Sequence, residues 1–250
     1  MASLKPPLGR VLLRLFTLQG SWNYERLQGV GFAVAEEPLL RDLARGPGGE
    51  DAYRAALARG AHLFNAHPYL GGMAVGAVAR AEHEGTPPGQ VERLRQTLGS
   101  PLGSLGDRLV WAGWLPLNAA LTLIGVALGW GWWAVVGFLT LYNIGHVFLR
   151  AWALRAGWRR GSRVVEALRA PALRRADTAL GVVTPLAMGA ALPLTAAYLG
   201  TPLPGWGRAL AAGVGILGLV LLHWRGLALT GLRLGLGVLA VALVAGWVWR

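Results

Sequence analysis

Long apolar runs fill the second half of this chain, whereas the first half interrupts its apolar stretches with polar groups, glycine and proline. Residues 111–129 and 131–149 are each about long enough to span a bilayer as a helix. The Gly129-Trp130-Gly131-Trp132-Trp133 junction between them is an aromatic belt suited to a membrane interface. Residues 178–200 are expected to cross again despite Pro185 and Pro193, followed by a short outer turn over 201–208. Residues 209–224 return as a run short enough to need shelter from neighbouring protein. After a second cytoplasmic loop at 225–233, residues 234–249 cross once more. Gly125, Gly129, Gly213, Gly215, Gly235 and Gly237 recur in these runs, consistent with close helix packing. The pattern predicts an all-α polytopic membrane protein with about five transmembrane helices.

The first half reads differently. Residues 1–20 form an amphipathic arm punctuated by Pro6-Pro7. Within it, 11–16 with Arg10 and Arg14 make a short basic helix, expected on the cytoplasmic membrane surface or against a partner. Residues 20–32, GSWNYERLQGVGF, read as helix, put Glu25, Gln28, Gly29 and Phe32 on one side. Asn23, Arg26, Leu27 and Val30 fall on the adjacent side, so polar and apolar groups share a flank. That suits either an interfacial helix with solvated Glu25 and Arg26 or a functional lining. Residues 41–59 are polar and hold a Gly46-Pro47-Gly48-Gly49 turn between two helices.

Residues 61–80 are apolar enough to enter a membrane but are interrupted by Asn65, His67 and Pro68, and Pro68 biases His67 away from helix. Irregular backbone at membrane depth persists only inside protein or along a watery cavity, which is the pattern of a re-entrant hairpin. The alternative is a soluble helix-turn-helix with a satisfied histidine. After a polar connector at 81–98, residues 100–107 make a second broken apolar element. Asp107 there caps a helix beginning near Arg108, pairs with a cation, or faces a substrate. The organisation is an arm at 1–20, a motif-bearing region with broken hairpins at 21–110, and a transmembrane region at 111–250.

Composition strengthens the membrane reading. Hydrophobic residues make up 54%, charged residues 14%, and mean hydropathy is +0.45, far from an ordinary soluble domain. The net charge of +12 is almost all arginine, Lys5 being the one lysine. The arginines lie between apolar runs instead of in one basic domain, so cytoplasmic loops account for them and no nucleic acid is expected. Residues 150–175 hold eight Arg against one Glu, which the positive-inside rule places in the cytoplasm. Zero cysteine excludes disulfides and thiolate metal sites. No cleavable signal is evident, since 11–18 is short and broken by Arg14. There is no phosphate loop with lysine, no supported Ser-His-Asp set and no metal-ligand spacing, and His62, His67, His83, His146 and His223 are scattered. Neither catalytic residues nor a cofactor or metal is expected.

Three blocks carry a resemblance: GSWNYERLQGVGF at 20–32, FNAHPYLGG at 64–72 and GSPLGSLGDRLVW at 99–111. In this order and at this spacing the chain resembles the IID subunit of the mannose/fructose/sorbose family of bacterial sugar phosphotransferase systems. RAGWRRGSRVVEALRA at 155–170 extends the likeness. The resemblance implies a non-catalytic, multi-pass subunit of the bacterial inner membrane. Its partner is a IIC subunit of similar fold and inverted topology, in a higher oligomer of IIC–IID pairs. IIA and IIB then carry the phosphate, and IIB phosphorylates a hexose of the mannose type on arrival. Each membrane subunit has a scaffold portion and a mobile portion built from re-entrant hairpins, with the sugar between them.

Matched residue by residue, the implied polar lining falls on Trp22, Asn23, Glu25, Gln28, Asn65, His67 and Asp107. Glu25 and Asp107 would accept from hydroxyls, Asn23, Asn65 and Gln28 would bridge, and Trp22 or Tyr24 would pack on the ring. Two departures stand out. Arg108 replaces the family's Ser or Pro and could pair with Asp107, and a longer segment of relatives near 200–209 is missing. They keep open a second reading, a sensory or regulatory membrane module of the same descent that does not itself transport.

Overall fold

The computed structural model describes residues 6–199, 205 and 206. The crossings expected at 209–224 and 234–249, the loop at 225–233 and most of the 201–208 turn lie outside the described residues. Within them every regular element is helical, apart from two isolated bridges joining Asn23 to Leu27 and Leu27 to Phe64.

Helix α1, Leu8–Leu15, forms where the arm's amphipathic period predicts it, but its apolar face is covered by this chain. Val11, Leu15 and the following Leu18 are fully buried in the core, instead of meeting a membrane surface or a partner. Arg14 leaves that face and pairs with Glu37 at 2.6 Å, also donating to the Val34 carbonyl. Residues 17–28 are turns, not the helix expected over 20–32, and α2, Gly29–Leu40, begins only at Gly29. The cause is local. Asn23 Oδ1 accepts from the backbone N–H of Glu25 and Arg26 at 3.1 and 2.8 Å, offering that backbone an alternative to helix.

A 3₁₀ turn at Arg41–Arg45 and the expected glycine-proline turn lead to α3, Gly49–Gly60. Residues 61–70 are irregular around Pro68, and α4, Gly71–His83, follows. Helix α5, Pro88–Gly106, opens with a proline in its first turn, where the missing N–H is harmless. It covers most of the expected connector and 100–106 of the expected break, and the helix continues through Asp107 without a break. A π-helical turn at Asp107–Trp114 and α6, Leu115–Ala127, complete one 40-residue helix. The chain reverses where Gly129 and Gly131 take φ values of 86° and 54°, and α7 runs over Trp132–Arg160. The short α8, Val165–Leu168, and α9, Pro171–Tyr198, follow. Pro88–Ala127 and Trp132–Arg163 are long and apolar enough to cross a membrane. They overlap the runs expected to cross at 111–129 and 131–149.

The chain divides into two units, Met1–Met188 and Gly189–Arg250. In the first, α4 is the centre of the core, and residues 71–79 are all buried. It packs on the C-terminal half of α7 backbone to backbone. A Cβ on Gly157 would meet the Met73 carbonyl oxygen at 2.1 Å, so only glycine permits the approach. Around this core charges are paired: Arg59 joins α3 to Glu82 of α4 at 2.7 Å. Arg95 of α5, 1% exposed, donates to Glu92 and to the His62 carbonyl, with the Phe32 and Phe64 rings beside it. Of the second unit, the described part is the end of α9, Leu199, Gly205 and Trp206.

Candidate functional site

The three motif blocks meet at the irregular segment 64–70. Backbone bonds tie the first block to the second: Gln28 N–H donates to the Phe64 carbonyl at 2.8 Å, and Phe64 N–H donates to that of Arg26 at 3.2 Å. The Gln28 side chain completes the join. Its Nε2 donates to the Ala66 carbonyl at 2.8 Å, and its Oε1 accepts from Ala66 N–H at 3.3 Å. Between these ties Leu27 takes φ +52°, a left-handed conformation that is costly for a side chain with a Cβ. The third block closes from α5. A Cβ on Gly106 would lie 2.2 Å from the His67 Cβ, so the glycine lets the helix rest directly on the histidine.

His67 is buried. Its Nδ1 accepts from Tyr69 N–H at 3.2 Å, while Nε2 has no hydrogen-bond partner among the described residues. Its ring packs edge-on to Tyr69 and against Trp111, centroids 5.0 and 5.3 Å away, and Asp107, Arg150 and His146 act on it electrostatically. Gln28 and His67 are therefore occupied in holding the segment together.

The other expected site residues lie nearer the surface. Trp22 is 44% exposed and meets Tyr24 edge-on at 4.9 Å. Asn23 is half-buried, and its side chain is engaged in its own turn through Ser21, Glu25 and Arg26. Glu25, Asn65 and Asp107 are exposed, and no hydrogen bond or ion pair engages their side chains among the described residues. Asp107 neither caps a helix nor pairs with Arg108. It lies inside the continuous 88–127 helix without a side-chain cap bond, and Arg108 turns instead to Asp177 at 3.4 Å.

A polar stripe on α7 escaped the sequence reading. Tyr142, His146 and Arg150 recur at four-residue spacing along an apolar run, a readable signal for one helix face. Tyr142 and Tyr69 hydroxyls are 2.7 Å apart, and the Tyr69 ring stacks on His146 at 4.0 Å. The buried Arg150 guanidinium donates to His146 Nε2 at 2.7 Å and to the Leu15 carbonyl. It also lies over the Tyr69 and Phe16 rings at 4.8 and 5.1 Å. The segment expected as a loop at 150–175 is helical at its start, since α7 continues to Arg160.

Glu36 of α2 was missed as well. It is fully buried, and neither carboxylate oxygen has a partner among the described residues. Burial, then the nearby Glu82, holds its carboxyl well above the usual carboxylate range, against the opposing pull of Arg95 and Arg59. Its neighbour Glu37 goes the other way: partial burial raises its pKa, but hydrogen bonds from Arg41 and Arg14 more than offset that.

No cluster of three His, Asp or Glu suited to a metal occurs among the described residues. The Glu25 and Asp107 carboxylates, the Asn65 amide and the Trp22 indole are all exposed.

Residues 5–203 match the sequence profile described as "PTS system mannose/fructose/sorbose family IID component". The chain is 26% identical over 185 residues to the PTS system mannose-specific EIID component of Escherichia coli strain K12, covering 72% of this chain. It spans 64% of that relative's length. It is also 26% identical over 191 residues to the fructose permease IID component of Bacillus subtilis strain 168, covering 74% of this chain and 68% of that one. Among solved structures it is similar to the mannose transporter ManYZ, seen by cryo-electron microscopy in complex with microcin E492. That likeness has a TM-score of 0.57 at 25% identity and covers 74% of this chain and 69% of the other. A second structure, described only as a membrane protein, has a TM-score of 0.67 over 96% and 95% of the two chains. At 20% identity it shows the fold alone.

Proposed function

The chain belongs to the mannose/fructose/sorbose family of phosphotransferase-system IID components, and from that premise we propose that it is a translocator subunit of a sugar permease. It pairs with a IIC subunit inserted in the opposite sense in the bacterial inner membrane, in a higher oligomer of such pairs, each IID chain crossing about five times. A hexose of the mannose type passes between the two subunits and is phosphorylated by IIB, which IIA recharges. The IID chain itself transfers no phosphate.

The observation that carries this reading is the frame at 64–70, which gathers three separate blocks yet leaves Glu25, Asn65 and Asp107 without partners. In this proposal Glu25 and Asp107 accept from sugar hydroxyls, Asn23 and Asn65 bridge, and Trp22 packs on the ring. Gln28 and His67 position the segment, which lies as a re-entrant element at membrane depth. The left-handed Leu27 supports it, because such strain, about 1–3 kcal/mol, gathers at functional sites. Arg108, engaged by Asp177, leaves Asp107 free, which removes one motive for a purely regulatory role.

Uptake measured in cells that also make the IIC, IIB and IIA partners tests the reading. Glu25→Gln and Asn65→Ala are each expected to lower sugar uptake about tenfold or more at unchanged membrane abundance. Normal uptake in Glu25→Gln would make the 20–28 turn a scaffold and overturn the assignment.

A further inference from the structure

Two cavities share a wall along α7. One, of about 380 Å³, is lined almost wholly by apolar groups, among them Leu109, Val110, Leu173 and Leu180. The other, of about 440 Å³, is bounded by Arg155, Arg159 and Arg160 with Phe148 and Trp152, and no carboxylate lines it. Phe148 and Trp152 border both, so an apolar cavity adjoins a cationic one. Eight other arginines, from Arg14 to Arg108, reach a carboxylate. Arg155, Arg159 and Arg160 are exposed and reach none among the described residues. They sit on the last two turns of a helix long and apolar enough to cross a membrane, which places them at its water boundary.

We propose that these joined cavities bind one anionic phospholipid, its acyl chain in the apolar cavity and its phosphate against Arg155, Arg159 and Arg160. Guanidinium groups take phosphate oxygens through paired, charge-assisted hydrogen bonds. Trp152, at the seam, has the amphipathic ring that favours headgroup depth. Charge decides between lipid classes. A choline headgroup would bring a cation beside three arginines with no carboxylate in the lining to receive it, whereas phosphatidylglycerol keeps a net negative charge there. A protein partner seated on this face, or residues 207–250 of the same chain, would occupy the same space and exclude lipid.

The full chain, purified in mild detergent with whatever membrane subunit accompanies it, is titrated with phosphatidylglycerol, phosphatidylcholine and inorganic phosphate. Binding is read by native mass spectrometry and thermal melting. Phosphatidylglycerol is expected to bind about tenfold or more tighter than phosphatidylcholine and to raise the melting temperature, while phosphate alone does neither. The triple variant Arg155→Gln, Arg159→Gln, Arg160→Gln should lose that preference, and its unliganded melt should stay put because these side chains make no hydrogen bond or ion pair among the described residues. Ala176→Trp, which fills the apolar cavity, should weaken both lipids. Equal affinity for the two lipids, stabilisation by phosphate alone, an unaltered preference in the triple variant, or no lipid binding at all would each overturn the proposal.

Discussion

The helices before residue 107 and those after it turn their apolar side chains in opposite directions. In the first set the large apolar side chains turn inward: Leu15, Phe32, Leu40, Leu70 and Met73 are all fully buried. The charges are matched across helices, as in Arg14–Glu37 and Arg59–Glu82. Beyond Trp114 the rule inverts. Trp130, Trp132, Leu139, Ile144 and Phe148 are all exposed, and only 6% of the most apolar window of the second spanning helix is buried. Several polar groups there bond within their own helix. Asn118, Thr122 and Asn143 each donate to the carbonyl four residues earlier, the arrangement expected where no water is at hand. One chain thus holds a half whose apolar side chains face its own core and a hairpin whose apolar side chains face outward, with α7 belonging to both.

That contrast can be broken most severely where the two halves cross. Gly157→Val drives a side chain into the Met73 carbonyl and is expected to cost about 3 kcal/mol or more, seen as loss of folded protein from the membrane. Gly181→Ala in α9 is the control. Nothing lies within 4 Å of its Cβ, and it should raise stability by up to about 1 kcal/mol. Next comes the bare face of α7. Leu139→Lys is expected to raise the apparent insertion cost by about 2.5–3.5 kcal/mol in a membrane-insertion assay. Insertion as good as wild type would show that this face does not meet lipid.

A smaller effect is expected inside the first half. Gln28→Ala leaves both backbone groups of Ala66 without their side-chain partner, at a cost of about 1–3 kcal/mol. Thermal melting should register it, with faster proteolysis at 61–70. An unchanged melt would mean that the backbone bonds to Phe64 suffice.

The smallest effect is one of pH. Glu36 has a folded-state pKa above its unfolded value, so its contribution is fully present below the unfolded carboxylate range and is lost as pH rises toward the raised value. Arg59 and Arg95 face the carboxyl as cations, and Glu82 as an anion. Glu36→Gln removes the titration, so its melting temperature relative to wild type should climb as pH rises above the ordinary carboxylate range toward the raised value. A constant difference across that window would mean that Glu36 finds a counter-charge when it ionises.

The sequence alone determined the local features. Apolar run length marked the two helices long and apolar enough to span a membrane, Pro68 marked the irregular segment at 61–70, Gly46-Pro47-Gly48-Gly49 marked a turn, and three ordered blocks marked the family. Only tertiary structure decided what each face meets. Periodicity made α1 amphipathic, but its cover turned out to be the core around Leu18, not lipid. Neighbouring charges made Arg108 a partner for Asp107, yet the fold brings Asp177 to it from 69 residues away. Glycine and proline at 99–106 argued for a broken helix, at about 1 kcal/mol for each helical glycine. Packing against His67 needs Gly106 in an unbroken one. Helix propensity and period act over a few residues, whereas the partner of a side chain is set by contacts between segments far apart in sequence, which no local pattern encodes.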